Sequence, residues 1–270
     1  MCKLLKMKDK QFNSDWNFLH ILSKYLLPLT REQIKFLKIL DQKTWAKNFL
    51  LTGGTPLAKL FLGHRESDDL DFFLIPEREF PEREIRELAR ELGVKVRVED
   101  RVRHILPFSN EFKVKMVKNS LFKFDLSESF VLPGFSAVRV AGFKDILLQK
   151  IISLVDRADP KDYADVLFCF RKIRVSPQDL RDLVRKASNR AGAWDVELYF
   201  SATLRSRDWL KNFDKIRWKV SVDKKELVEF SEKLAEAYEE AWKKELEQFQ
   251  KEIKASRKSI SRDSNNLLKK

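Results

Sequence analysis

Cysteine is nearly missing from this chain: Cys2 and Cys169 stand alone and far apart. That excludes a disulfide-stapled extracellular fold and fits a reducing, cytoplasmic setting. Histidine is also scarce, with His20, His64 and His104 dispersed along the sequence, so no Cys/His cluster has the spacing of a zinc site. No apolar run reaches the roughly 18 residues of a membrane span, and no membrane partner is expected. The start, MCKLLKMKDKQFN, is basic but lacks an apolar signal core with a cleavage site. Glycine is rationed to seven positions, and two of them are adjacent, at Gly53-Gly54.

What is present argues for a folded, basic protein. Of 270 residues, 43% are hydrophobic, including 21 Phe and 6 Trp, enough to bury a sizeable core. The formal net charge is +13. Such an excess implies a polyanionic partner, with RNA the leading expectation.

Periodicity divides the chain. Asp15–Pro28 carries an apolar helical stripe, and TREQIKFLKIL opens with Thr30 three residues before Gln33, a capping-box pattern. NFLLT reads as a strand that stops at the diglycine, and Thr55-Pro56 reads as a helix start. LDFFLI is a second strand, FPEREIRELARELG an amphipathic helix, and VKVRVED a half-exposed strand. FKVKMVK and LFKFDLS both alternate and are separated by Asn119-Ser120, which predicts a hairpin whose second strand carries Asp125. From Gly142 the period turns helical. FKDILLQKIISLVDR, PKDYADVLFCFRKI, SPQDLRDLVRKAS and AWDVELYFSATLRSRDWLKN are expected helices, followed by a charged one from about Asp223 to Ala255. The expected division is an α/β domain over 1–141, a helical domain over 142–255, and a basic, disordered tail over 256–270.

The chemistry-bearing residues cluster near the diglycine. Asp69 and Asp71, two apart on a strand, project to one face, with Leu70 and Phe72 on the core side. Two carboxylates so close repel each other unless a cation sits between them, and hard oxygen ligands suit Mg²⁺, or Mn²⁺, bound to a phosphate substrate. The plainer reading is a solvated strand end or pairing with Arg65 or a lysine. Gly53-Gly54, with the hydroxyl of Thr55, would let backbone amides approach phosphate oxygens, although the spacing is not that of a P-loop. Asp125 is the candidate third acid, as base or metal ligand, if its strand lies beside LDFF. Lys150 lies on a helix whose Ile146, Leu147, Ile151 and Leu154 face the core, so its head can lean toward phosphates. Asp162 and Asp165 share a face of the next helix. One would orient Lys150 or Arg157 and the other contact acceptor or base, and the spacing does not say which. His64 reads as shaping its loop, Arg65 as either a phosphate contact or a counter-charge to the acids. Trp194, Tyr199, Phe200 and Trp209 read as helical core.

LTGGTPLAKLFLGHRESDDLDFF resembles the Gly-Gly-Ser/Thr and Asp-x-Asp signature of nucleotidyltransferases related to DNA polymerase beta. Its Gly-His-Arg-x-Ser-x-Asp-Leu-Asp-Phe-Phe form is similar to the AbiEii/AbiGii toxin branch. FKDILLQKIISLVDRADPKDYADVLFCF resembles that branch's second signature, through Lys150, Arg157, Asp162 and Asp165. Lys161 stands where the branch usually has arginine, and Pro56 and Lys59 also depart. The resemblance implies an α+β fold: a polymerase-beta-like domain with a small mixed sheet flanked by helices, then a helical domain. It implies metal-dependent transfer of a nucleoside monophosphate from a nucleoside triphosphate to a hydroxyl, with transfer-RNA 3′ ends as acceptor. Asp69, Asp71 and Asp125 would bind metal, and Gly53, Gly54, Thr55, Arg65, Lys150 and Arg157 the nucleotide. It further implies a toxin in a toxin–antitoxin or phage-defence pair with a separately encoded antitoxin. AMP transfer to a protein hydroxyl is the enzymatic alternative, and a catalytically silent RNA-binding or antitoxin-binding protein the non-enzymatic one.

Overall fold

The computed structural model describes residues 28–109, 112–118 and 122–267. The stripe expected from Asp15 lies, up to Leu27, outside the described residues, as do Asn119 and Ser120. Helix α1 (Arg31–Asp41) opens on the Thr30/Gln33 capping box, each side chain bonded to the other's backbone N–H. A seven-stranded mixed sheet follows, in the order β3-β4-β5-β2-β1-β7-β6. Its strands are β1 (Phe49–Thr52), β2 (Leu70–Leu74), β3 (Arg97–Glu99), β4 (Arg103–Pro107), β5 (Lys113–Val117), β6 (Phe130–Val131) and β7 (Arg139–Val140). Helix α2 (Glu82–Glu91) lies between β2 and β3 and buries Ile85, Leu88 and Ala89. The later helices are α3 (Phe143–Arg157), α4 (Pro160–Ile173), α5 (Pro177–Ala191), α6 (Asp195–Arg205) and α7 (Lys224–Leu267). This is a mixed α+β architecture, and all seven strands precede α3. No helix among the described residues is long and apolar enough to cross a membrane.

Burial follows neighbours. β1 pairs antiparallel with β2 on one side and parallel with β7 on the other, and all four of its residues are buried, as a doubly covered apolar strand requires. β2 alternates: Leu70, Phe72 and Leu74 are buried, with Phe72 against Phe36 of α1, while Asp71 and Phe73 turn to the other face. One continuous core joins the sheet to α1 through α7.

Four expectations are corrected. LFKFDLS is not a strand: Phe122 to Asp125 is irregular and Asp125 caps a short 3₁₀ turn, Leu126–Glu128. The hairpin partner of β5 is instead β4, reached from β3 through Asp100 and Arg101, both at positive φ. The stretch after Trp194 breaks at Ser206 into α6 and a 3₁₀ helix, Asp208–Lys215. Of the four aromatics expected in the core, Phe200 and Trp209 are buried, but Trp194 and Tyr199 are 72% and 57% exposed. They lie off the Val196–Phe200–Leu204 face that α6 buries. Finally, α7 runs past Ala255 to Leu267, because KEIKASRKSI holds good helix formers and neither Gly nor Pro.

Candidate active site

The site forms where β1 ends and β2 begins. Gly53 sits at φ 77°, a left-handed turn that glycine adopts without strain. A Cβ built on it would lie 2.8 Å from Asp71 Oδ2, and one on Gly54 would lie 2.9 Å from Arg65 Nη2 and 3.0 Å from Ser67 Oγ. Asp71 therefore lies against Gly53, while Gly54 lies against Arg65 and Ser67, and a side chain at either glycine would crowd those groups. A seven-residue π-helix, Pro56–Leu62, follows and ends on Gly63. Thr55 does not cap it: its buried hydroxyl bonds inward to Ser67 Oγ (3.0 Å) and the Asp69 carbonyl. Thr55 braces the loop before β2. Gln33 of α1 holds the same loop, donating to the carbonyls of Ser67 (3.1 Å) and Asp68 (2.7 Å). Lys59, a departure from the apolar pattern, is buried but paired with Glu66 at 3.1 Å.

Asp69 and Asp71 are half-buried beside a cavity of about 360 Å³, within the usual size of a small-molecule site. Its lining includes Gly54, Arg65, both acids, Lys113, Lys115, Lys150, Arg157, Lys161, Asp162, Lys215 and Arg217. Two lysines of β5 meet the acids. Lys115 Nζ lies 2.9 Å from Asp71 Oδ1 and 3.5 Å from Asp69 Oδ2, and Lys113 Nζ lies 3.6 Å from Asp69 Oδ2. Burial works against the charge on Lys115, but the Asp71 and Asp69 carboxylates outweigh it and hold its pKa above the ordinary lysine value.

Asp125 is not brought to this pair. Its carboxylate accepts from the backbone N–H and hydroxyl of Ser127, and Arg190 approaches at 4.0 Å. Its assignment as third acid rested on strand adjacency, and the strand beside β2 is β5.

Behind the cavity lies a buried charge network. Arg65 grips Asp165 with two bonds, Nε–Oδ1 at 2.8 Å and Nη2–Oδ2 at 2.7 Å. His64 Nε2 lies 2.9 Å from Asp165 Oδ1. Lys150 Nζ bridges Asp162 Oδ1 (2.8 Å) and Asp165 Oδ2 (2.7 Å), and Arg157 Nε donates to Asp162 Oδ2 at 2.6 Å. Arg65 thus neutralises Asp165 and not the β2 acids, a third outcome beside the two expected. Burial would raise the pKa of Asp165, but Arg65 and Lys150 hold it well below the carboxylate range. Burial pushes the pKa of His64 down, so its imidazole stays neutral, consistent with shaping the loop. Both carboxylates of α4 are fully buried, and of the two Asp162 borders the cavity.

Sequence reasoning missed the far wall. The segment Lys215–Lys219 lies antiparallel to residues 64–66: Arg65 bridges Trp218, Glu66 N–H donates to the Arg217 carbonyl, and Lys219 N–H to the His64 carbonyl. Trp218 packs on Phe168 and Phe213, and Phe168 on His64. Lys215 and Arg217 are exposed and line the cavity, Arg217 paired with Asp68. The signal was the basic run KIRWK, and, for the near wall, the two-residue spacing of Lys113 and Lys115.

The chain matches the family described as nucleotidyl transferase AbiEii toxin, type IV toxin–antitoxin system, over residues 35–128 and 114–265. It belongs to the AbiEii family. This AbiEii nucleotidyltransferase is also similar to the uncharacterized protein aq_aa25 of Aquifex aeolicus, at 31% identity over 162 residues, covering 58% of this chain and 75% of the other. Two Helicobacter pylori structures are more distant. One is a candidate nucleotidyltransferase (17% identity, TM-score 0.46, covering 80% of this chain and 98% of that one). The other is JHP933 (17% identity, TM-score 0.45, covering 83% and 100%). A type IV toxin family implies a nucleoside triphosphate substrate and a separately encoded antitoxin for the AbiEii enzyme.

Proposed function

We propose that this AbiEii enzyme transfers a nucleoside monophosphate from a nucleoside triphosphate to a hydroxyl of RNA, with the 3′ end of tRNA as acceptor. The observation that carries this reading is Asp71 set against Gly53, with Asp69 beside it on Lys115, at a cavity lined by both acids, Gly54 and several lysines and arginines. The acceptor oxygen attacks the α-phosphorus in line as the bond from that phosphorus to the bridging oxygen breaks. Pyrophosphate leaves with the electron pair, and the hydroxyl proton passes to water.

The donor set fits one divalent cation and not two. Two carboxylates on one strand face can hold a single Mg²⁺ or Mn²⁺ together with phosphate oxygens and waters. No third His, Cys, Asp or Glu among the described residues joins them in a metal-binding group. When bound, such a cation would neutralise the triphosphate and polarise the α-phosphate. Gly53 and Gly54 admit the phosphates close to backbone. Arg157 and Lys161, exposed on the cavity wall, meet their outer oxygens. Lys150, held by Asp162 and Asp165, sets positive potential behind them, and preorganised charge of this kind supplies much of the acceleration. The basic far wall, Lys215 and Arg217, receives the RNA backbone. We also read residue 142 as the boundary between a catalytic α/β unit and a helical unit that completes its site, and the toxin as serving in phage defence.

Labelled triphosphates, offered one at a time with Mg²⁺ and total tRNA, test this function. Label is expected in tRNA from one or a few of them and none with Asp69→Asn/Asp71→Asn. Label in protein instead would replace the acceptor, and no transfer from any triphosphate would overturn the reaction.

A further inference from the structure

Lysine stands where a two-cation site needs an acid. β5 runs parallel to β2 in a register that sets Lys115 opposite Asp71, and strand alternation puts Lys113 on the same face beside Asp69. The Lys115 ammonium spans both acids, at 2.9 Å from Asp71 and 3.5 Å from Asp69, and forms part of the cavity wall.

From this geometry we infer that Lys115 is a built-in cation of the transfer reaction: its ammonium takes the place of one of two divalent ions, so that the enzyme works with a single exchangeable one. The inference rests on the nucleotidyl-transfer reading above and names a residue for it. Two-metal sites clamp the attacking and leaving oxygens symmetrically. Two divalent cations on three carboxylates leave one net positive charge for the incoming phosphate. One divalent cation and a lysine on two carboxylates leave the same. An ammonium has three donors and no fixed plane, so it can keep one N–H on Asp71 while turning another toward an α-phosphate oxygen or the attacking oxygen. The alternative is a plain ion pair that only fastens β5 to β2. Such a pair, half-open to water, would contribute little to stability and would leave the reaction indifferent to its loss.

Manganese distinguishes these directly. Mn²⁺ titrations followed by electron paramagnetic resonance, alone and with α,β-methylene triphosphates, are expected to give one tight ion per wild-type chain. Lys115→Met keeps the stem and removes a like charge next to the ion, so it should tighten Mn²⁺ binding by at least about tenfold. The same variant should lose roughly 100-fold in transfer rate with its melting temperature near that of the parent. Lys115→Asp should bind a second Mn²⁺. Two tight Mn²⁺ ions on the wild-type chain would overturn the inference, as would Lys115→Met transferring at the parental rate. Failure of the underlying reading looks different: the wild-type chain would then transfer nothing from any triphosphate, whatever its Mn²⁺ count.

Discussion

This enzyme has two closely spaced carboxylate pairs that differ in everything but charge. Asp69 and Asp71 keep 31% and 22% of their side chains exposed and meet flexible lysines. Asp162 and Asp165 keep none, and are held by arginine, histidine and a buried lysine. A guanidinium gripping a carboxylate with two bonds in a water-free setting fixes both groups, since neither can be separated without stranding a buried charge. An ammonium at the edge of a wet cavity can exchange its partner for phosphate or metal at little cost. The half-exposed pair is free to exchange partners, as the proposed reaction requires, while the buried pair fixes where the surrounding cations sit.

That contrast can be broken in order of effect. Asp165→Ala should be the most damaging change, because it strips buried Arg65 and His64 of their shared carboxylate and leaves Lys150 with Asp162 alone. A loss of about 3–5 kcal/mol of folding stability is expected, read by urea unfolding and accompanied by loss of the soluble protein. Asp71→Asn should show the opposite split: nucleotide transfer falling by about 10²–10³ while unfolding moves by less than about 1 kcal/mol. Equal destabilisation of the two variants would erase the distinction.

Acid should act on the sealed network from two directions. A buried neutral His64, with its pKa below the ordinary histidine value, binds protons less readily folded than unfolded. Stability therefore falls as pH drops below about 6.5, the unfolded value. Asp165, held well below its ordinary value, contributes stability that is complete above about pH 4 and is lost as pH falls further. Urea midpoints should thus decline in two stages between pH 7 and pH 3. A flat profile across that range would contradict the buried network. The smallest expected effect is Arg217→Ala, on the exposed far wall. It should leave unfolding within about 0.5 kcal/mol and weaken RNA binding modestly, reducing the salt slope of binding by about 1.

Local features were readable in advance and long-range ones were not. The Thr30 box, the strand that stops at Gly53-Gly54 and the alternation of β2 follow from neighbours within a few residues, and the structure shows each of them. Asp125 failed because FKVKMVK and LFKFDLS carry the same period, and which of them lies beside β2 is decided by pairing across some forty positions of chain. Trp194 and Tyr199 failed for a related reason. Helical spacing defines a stripe, but the width of that stripe that is covered depends on which helices pack against α6. The far wall was hidden because Lys215 and Arg217 are brought to the cavity by a backbone bridge between Arg65 and Trp218, distant in sequence. The sealed network was partly visible, since the spacing of Asp162 and Asp165 placed them together without saying that both face inward.

The bridge between Arg65 and Trp218 joins parts of the chain made far apart in time. Residues near the diglycine emerge early from the ribosome, but the backbone that backs them, from Lys215 to Lys219, is made after α6. A chain halted before that point has the acids and lacks Lys215, Ile216 and Arg217 from the cavity wall. The cavity is therefore completed late, its far wall being added only once the whole of α6 has been made.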